Sequence, residues 1–248
     1  KDIIPLYLDP EARQPNITKG LVNAIARQIG LPELAPEDVA AYVYAILSTP
    51  HYHELFAEEL KTPGPRVPIT ADTVLWSEAV AVGRWLIWLH TYAERFQDLG
   101  EGRDKHVPFV VGIGWTKPVV NMPQTLADIT YDPENQSLMV GDGHIMGVRE
   151  DVWSYAVSGM SIVKKWLGYR TVRGAGRAAS SKNPLDQIRP VTWLDAWNDE
   201  LLDLLRVLTL TLNKNIEQIR LLDSICDSPL IMAVDLPVPK FAERKSID

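Results

Sequence analysis

Between Asp72 and Phe96 the apolar residues Leu75, Ala79, Val82, Leu86, Leu89, Ala93 and Phe96 recur at alternating spacings of four and three. That period is helical. Trp76, Val80, Trp88 and Tyr92 add a second stripe. Two apolar stripes mean burial on two sides, so 72–96 is predicted to be the central core helix. A second long stripe runs from Trp193 to Asn213 through Leu194, Trp197, Leu201, Leu204, Leu205, Leu208 and Leu212. A further helical turn is expected around Ile216 to Leu222. Near the start, Leu21, Val22, Ile25 and Ile29 predict a helix capped by Asn16 and stopped by Gly30. Val39, Tyr42, Val43, Ala45, Ile46 and Leu47 predict another, with Pro36 in its first turn and Glu37 and Asp38 favourable to its dipole. Pro50 ends it, and HYHELFAEEL (51–60) reads as a short helical piece. TPGPRVPIT (62–70) is too rich in proline to be regular and reads as a fixed crossing.

The pattern changes after Lys105. VPFVVGIG (107–114) is a β-branched run that ends in glycines. YDPENQSLMVGDGHIMGV (131–148) predicts two short strands around the turn Gly141-Asp142-Gly143. Helical signals return from Arg149 to Trp153, and again through Ile162, Val163, Trp166 and Leu167. No internal repeat is visible. The fold class expected is α+β, mainly helical with a small central β insert. The expected organisation is one domain over 1–248: helical 16–97, β-containing 107–148, helical plus basic loop 149–225, and a tail 226–248.

Composition adds bounds. The 248 residues are 46% hydrophobic, with eight Trp and eight Tyr, which is enough for a sizeable core. A single cysteine, Cys226, rules out an internal disulfide and fits a reducing, cytoplasmic setting. No apolar run of about 18 residues could span a bilayer, so no membrane partner is expected. The first residue is Lys1, so a fragment or a processed product is expected.

Charge is uneven along the chain. The net charge is −7, yet Lys164 to Arg189 carries +6, which leaves −13 for the remainder. This window lies in Val152–Arg189, where an apolar, aromatic segment becomes a basic, glycine- and serine-rich loop. Val152 to Tyr169 is expected to pack, and Arg170 to Arg189 to face an anion. Arginines on such a loop can approach phosphates closely and can read guanine edges in the major groove. Ser180, Ser181 and Asn183 add neutral donors. On charge alone, a solvated loop that offsets the acidic remainder is an equal reading.

Catalytic signatures are sparse. No P-loop and no nucleophile-elbow serine occurs. Gly112-Ile113-Gly114 and Gly174-Ala175-Gly176 lack the remaining features of a dinucleotide site and read as tight turns. His51, His53 and Glu54 cluster, but Cys226 is distant and the paired ligand spacing of structural zinc is missing. Asp142 beside His144 reads as a hairpin turn, and His90 as a core or boundary residue. Asn183-Pro184-Leu185-Asp186 lacks the aromatic of an amino-methyltransferase catalytic loop and reads as a turn. Neither catalytic nor metal-binding residues are expected.

A series of segments carries a resemblance. YVYAILSTPHYHELFAEELKTPGPRVPIT, GRWLIWLHTYAERF, YDPENQSLMVGDG, VWSYAVSGMSIVKKWLGYR, NPLDQIRP and LLDLLRVLTLTL occur in this order. Together, from Pro5 to Pro239, they resemble the C-terminal specificity region of type ISP restriction–modification enzymes. The resemblance implies sequence-specific recognition of double-stranded DNA by a C-terminal fragment of a larger polypeptide, the fragment not itself being an enzyme. It implies missing nuclease, helicase-like ATPase, coupler and adenine-N6 methyltransferase domains, which would use S-adenosylmethionine, ATP and Mg. This fragment would need no cofactor; its partners would be DNA and the methyltransferase and coupler domains. Lys164, Lys165 and Lys182 are then expected to contact phosphates. Arg170, Arg173, Arg177 and Arg189 are candidates for base or phosphate contacts, with Ser181 and Asn183 secondary. The alternative is a docking module that holds the methyltransferase or coupler and leaves DNA to be read elsewhere.

Overall fold

A computed structural model describes residues 5–62, 64–173, 190 and 192–240. The chain is α+β and forms two compact units, one from residues 1–104 and 214–248, the other from residues 105–213.

The first unit is helical. α1 spans Leu21–Ile29, α2 Pro36–Leu47, α3 Pro50–Leu55 and α4 Thr73–His90. Asn16 does not cap α1. The helix starts after Gly20, whose φ is 85°, while the Asn16 backbone and side-chain amides donate to Leu6 O (2.7 Å) and Pro5 O (3.0 Å). Its amide is thus used to tie down the N-terminal segment. Gly30 does close the helix in the left-handed region. Pro50 both stops α2 and opens α3, because a proline without an N–H suits a first helical position. Asp72 caps α4 by accepting from the amides of Val74 (2.8 Å) and Leu75 (3.0 Å).

The expected helix 72–96 ends early, at His90. Tyr92, Ala93 and Phe96 take φ of 53°, 65° and 51°, so the chain turns while its apolar spacing continues. Ala93 N–H donates back to Trp88 O at 2.8 Å, and the Arg103 guanidinium donates to Phe96 O at 2.7 Å. The first bond satisfies a carbonyl freed by the end of the helix, and the second holds the turn beyond it.

α2 and α4 pack closely because position 83 is glycine. A Cβ there would lie 1.8 Å from Ala41 O. Tyr42 stacks on Trp76 with ring centroids 4.3 Å apart, and both are buried. Two tyrosine hydroxyls explain how the proline-rich crossing is held. Tyr42 donates to Pro68 O (2.9 Å) and Tyr52 to Arg66 O (2.8 Å). Burial pushes the Tyr42 hydroxyl well above the ordinary tyrosine range.

The second unit holds a four-stranded antiparallel sheet. Its strands are β1 Gly114–Lys117, β2 Ile129–Asp132, β3 Ser137–Val140 and β4 Gly143–Met146, in the order β1-β4-β3-β2. The β3–β4 hairpin turns at Gly141-Asp142, as the sequence predicts. β2 pairs with β3 as an additional strand, with Ile129 opposite Val140 and Asp132 opposite Ser137. Of the run 107–114 only Gly114 enters a strand. Phe109 and Val111 are exposed, so a β-branched composition did not suffice to make that segment a strand. Leu138, Val140, Ile145, Val148, Val152, Val163, Leu167, Leu201 and Leu205 form the core of this unit.

α5 (Glu150–Trp153), a small hairpin of β5 (Ala156–Val157) and β6 (Met160–Ser161), and α6 (Ile162–Gly168) follow. α7 is then one continuous 32-residue helix, Ala196–Asp227. No glycine or proline interrupts it, so the two expected helical pieces merge. Its first part supplies Leu201, Leu204 and Leu205 to the second unit's core, and its last part supplies Leu221, Leu222 and Ile225 to the first's. Among the described residues no helix is long and apolar enough to cross a membrane.

Candidate nucleic-acid interface

The basic segment begins in α6. This helix is short, and its apolar positions Val163 and Leu167 are buried while Lys164 and Lys165 are exposed. Neither lysine is loose. Lys164 Nζ sits 5.1 Å from the centroid of the Trp153 ring, and Trp153 stacks on Tyr131 at 5.5 Å. Lys165 Nζ sits 4.9 Å from the Tyr169 ring. A cation over an aromatic face keeps its charge and its hydration on the outer side while losing conformational freedom. Both ammonium groups are therefore presented in defined places.

Arg170 is held differently. Its guanidinium lies 3.6 Å from the centroid of Trp166 and 5.2 Å from that of Trp197. It donates to Trp166 O at 3.2 Å and to Glu200 at 3.0 Å. Trp166, Trp193 and Trp197 form an edge-to-face series, with centroids 6.3 and 5.2 Å apart. Arg170 thus braces the start of the basic loop against α7. Stacking and bidentate use of a planar fork are what distinguish arginine from lysine here.

Beyond Arg170, Thr171 is buried, and the amides of Val172 and Arg173 donate to Pro123 O (2.9 Å) and Gln124 O (2.8 Å). Arg173 is exposed. The far flank is fixed at Trp193, whose Nε1 donates to Asn198 Oδ1 at 3.2 Å. Asn198 also exchanges hydrogen bonds with the backbone of Val119 and accepts on its own carbonyl from Trp115 Nε1. Both flanks of the basic loop are thereby tied to loops and helix of the same unit. Arg177, Ser181, Lys182, Asn183 and Arg189 lie outside the described residues. The structure brings Lys164, Lys165, Arg170 and Arg173 onto α6 and the five residues that follow its end, with aromatic rings supporting three of the four.

Residues weighed for other chemistry have structural work. Asp142 accepts from the amides of Val120 and Asn121, both at 3.0 Å, and from the Asn121 side chain. The Asn121 amide first, with Val120 and Lys117, holds its carboxyl at about 2. His144 Nδ1 lies 2.7 Å from Thr116 Oγ1. His51 Nε2 contacts Asp223 at 2.8 Å. His90 Nδ1 lies 2.7 Å from the Tyr44 hydroxyl, and burial pushes its pKa down. Among the described residues no group of three or more His, Cys, Asp or Glu is placed to hold a metal ion.

One feature was not foreseen from the sequence. β5 and β6 pair in register, Val157 opposite Met160 and Ala156 opposite Ser161. Ser158 and Gly159 have φ of 50° and 75°, the two positive values of a type I′ turn. The hairpin is rooted by Ile162 N–H donating to Tyr155 O at 3.0 Å. The Ser-Gly dipeptide was the available signal. It was masked by the mostly apolar residues around it.

The chain belongs to the type ISP C-terminal specificity domain family, whose model matches residues 1–204. No curated protein matches it. Among solved structures, a cryo-EM structure of a DrdV–DNA complex is 21% identical, over 88% of this chain and 20% of that one, with a TM-score of 0.55. The ATP-dependent type ISP restriction–modification enzyme LlaBIII bound to DNA is 18% identical over 78% of this chain and 12% of that one, with a TM-score of 0.49. A nuclease-deletion mutant of the type ISP restriction–modification enzyme LlaGI, in complex with a DNA substrate mimic, is 18% identical over 76% and 14%, with a TM-score of 0.48. The chain therefore spans a fifth or less of each of those chains. The likeness to the DrdV chain is one of fold.

Proposed function

We propose that this chain is the DNA target-recognition domain of a type ISP restriction–modification enzyme, with residues 1–248 acting as one functional domain. The observation that carries this reading is the family match over residues 1–204. The placement of Lys164, Lys165, Arg170 and Arg173 on and just after one helix supports it. In this reading the domain holds an asymmetric duplex site for an adenine-N6 methyltransferase, or for ATP-dependent cleavage, carried by other domains of a longer cytoplasmic polypeptide. S-adenosylmethionine, ATP and Mg would serve those domains, and this chain would contribute no catalytic group.

Physically, the lysines supply the salt-dependent, sequence-independent part of the affinity. Arginines of the loop, Arg173, Arg177 and Arg189, supply base or phosphate contacts, with Lys182 on phosphate and Ser181 and Asn183 as neutral donors. Gel-shift competition with the chain at two salt concentrations tests the proposal. The expected result is binding to duplex DNA that weakens steeply as salt rises. Arg177→Ala is expected to weaken binding to the preferred duplex more than to random duplex. Absence of any salt-dependent binding at low ionic strength would instead favour a module that docks the methyltransferase or coupler.

A further inference from the structure

We infer that the β5–β6 hairpin tip is an apolar base reader: Val157 and Met160 enter a DNA groove while Lys164 and Lys165 hold the adjacent phosphates. This rests on the proposed DNA-recognition function and assigns a specificity role to residues outside the basic loop.

The argument begins with exposure. Val157 is 50% and Met160 39% exposed, and neither belongs to a core cluster of the second unit. Directly opposed residues of an antiparallel pair share a face, so these two side chains form one apolar patch at the tip. The two-residue turn makes the tip narrow, and Ser158 and Gly159 add little bulk beyond it. A two-stranded ribbon fits the major groove, where apolar side chains distinguish thymine by its methyl group.

The occupant follows from charge. The chain passes from β6 directly into α6, and Lys164 and Lys165 stand exposed in that helix, each placed by an aromatic ring. They open the segment 164–189 that carries +6 in a chain of net charge −7. An apolar tip flanked by fixed cations matches a polyanion whose interior edges are partly apolar. The hairpin is also stiff at its base. Tyr155 is partly buried against the unit's core, Ile162 N–H donates to Tyr155 O, and Trp153 is stacked on Tyr131. A rigid root positions a reader at little entropic cost on binding.

The test uses the whole chain. Duplexes are first enriched from a random-sequence pool at low salt with the unaltered chain. Affinity for the enriched duplexes and for the starting pool is then measured against salt for three proteins. These are the unaltered chain, the double variant Val157→Ser with Met160→Ser, and the double variant Lys164→Gln with Lys165→Gln. The hairpin variant is expected to lower the ratio of enriched to pool affinity about tenfold and to leave the salt slope unchanged. The lysine variant is expected to lower the slope by about 2 and to keep the ratio. Met160→Gln, which keeps side-chain length, is expected to move the ratio in the same direction as the double serine variant. Thermal melts confirm that each variant folds.

An unchanged ratio in both hairpin variants overturns the inference. Retained DNA behaviour with lost association to a methyltransferase domain added in trans also overturns it, and makes the hairpin a protein-docking element. Salt-dependent binding that enriches no sequence overturns base reading by the hairpin while leaving DNA contact intact. No salt-dependent binding by the unaltered chain overturns the DNA function itself.

Discussion

Arg170 shows how one side chain can join several elements. It stacks on Trp166 and Trp197, donates to Trp166 O and pairs with Glu200. Lysine can replace its charge but neither its planar stacking nor its fork. Arg170→Lys is expected to cost about 1–2 kcal/mol of stability, and Arg170→Ala at least as much; urea unfolding curves measure both. Asp142 offers a pH-dependent counterpart. Its carboxyl is held at about 2, below an unfolded value near 3.9. Its contribution is therefore fully present above about pH 4 and is lost as pH falls toward 2. Asp142→Asn is expected to destabilise the chain at pH 6, with the difference from the unaltered chain shrinking between pH 4 and 2 in denaturant titrations. The charges of Lys164, Lys165 and Arg170 were legible in the sequence, because a +6 window stands out in an acidic chain. Their aromatic supports were not. Lys164 meets Trp153 of α5, which stacks on Tyr131 of β2, and no local spacing encodes that contact.

At the scale of elements, helix positions were well marked and helix ends were not. α4 begins at its aspartate cap, as charge and periodicity suggest, but stops at His90 although Tyr92, Ala93 and Phe96 keep the helical spacing. Apolar residues are needed by the turn as well as by the helix, since Ala93 stays buried after the chain reverses. The β5–β6 hairpin was hidden for a related reason. VWSYAVSGMSIV mixes apolar residues with Ser154, Ser158 and Ser161 at spacings that fit neither template cleanly, so period 2 and period 3.6 are not separated there. The packing of α2 on α4 makes a sharp prediction. A methyl group at Gly83 would meet the Ala41 carbonyl at 1.8 Å, which backbone atoms cannot yield without parting the helices. Gly83→Ala is expected to destabilise by about 3 kcal/mol or more, despite alanine's better helix propensity. Thermal unfolding followed by circular dichroism checks this.

Across the whole molecule, two separate cores draw on the two ends of α7. Leu205 belongs to one and Leu222 to the other, and both are fully buried. Each leucine-to-alanine change is expected to cost about 2–5 kcal/mol. Because the two sites share no buried neighbours, the double variant is expected to lose the sum of the two in equilibrium unfolding. The mainly helical α+β class was legible because periodicity is a long-range average. The continuity of α7 was not, because Lys214 and Asn215 interrupt its apolar stripe without interrupting its backbone. That continuity bears on where the chain can be shortened. The family match closes at residue 204, in the first third of this helix. A polypeptide ended there would forfeit Leu221, Leu222 and Ile225, which pack with Trp76, Tyr42 and Leu86 from the opposite end of the sequence. It would also lose the Gln218 amide that bonds Ala45 O and the Asn215 partner of Thr49. The stretch past the recognisable family pattern is thus an integral wall of the N-terminal half, and trimming to the pattern would expose that half's interior to water.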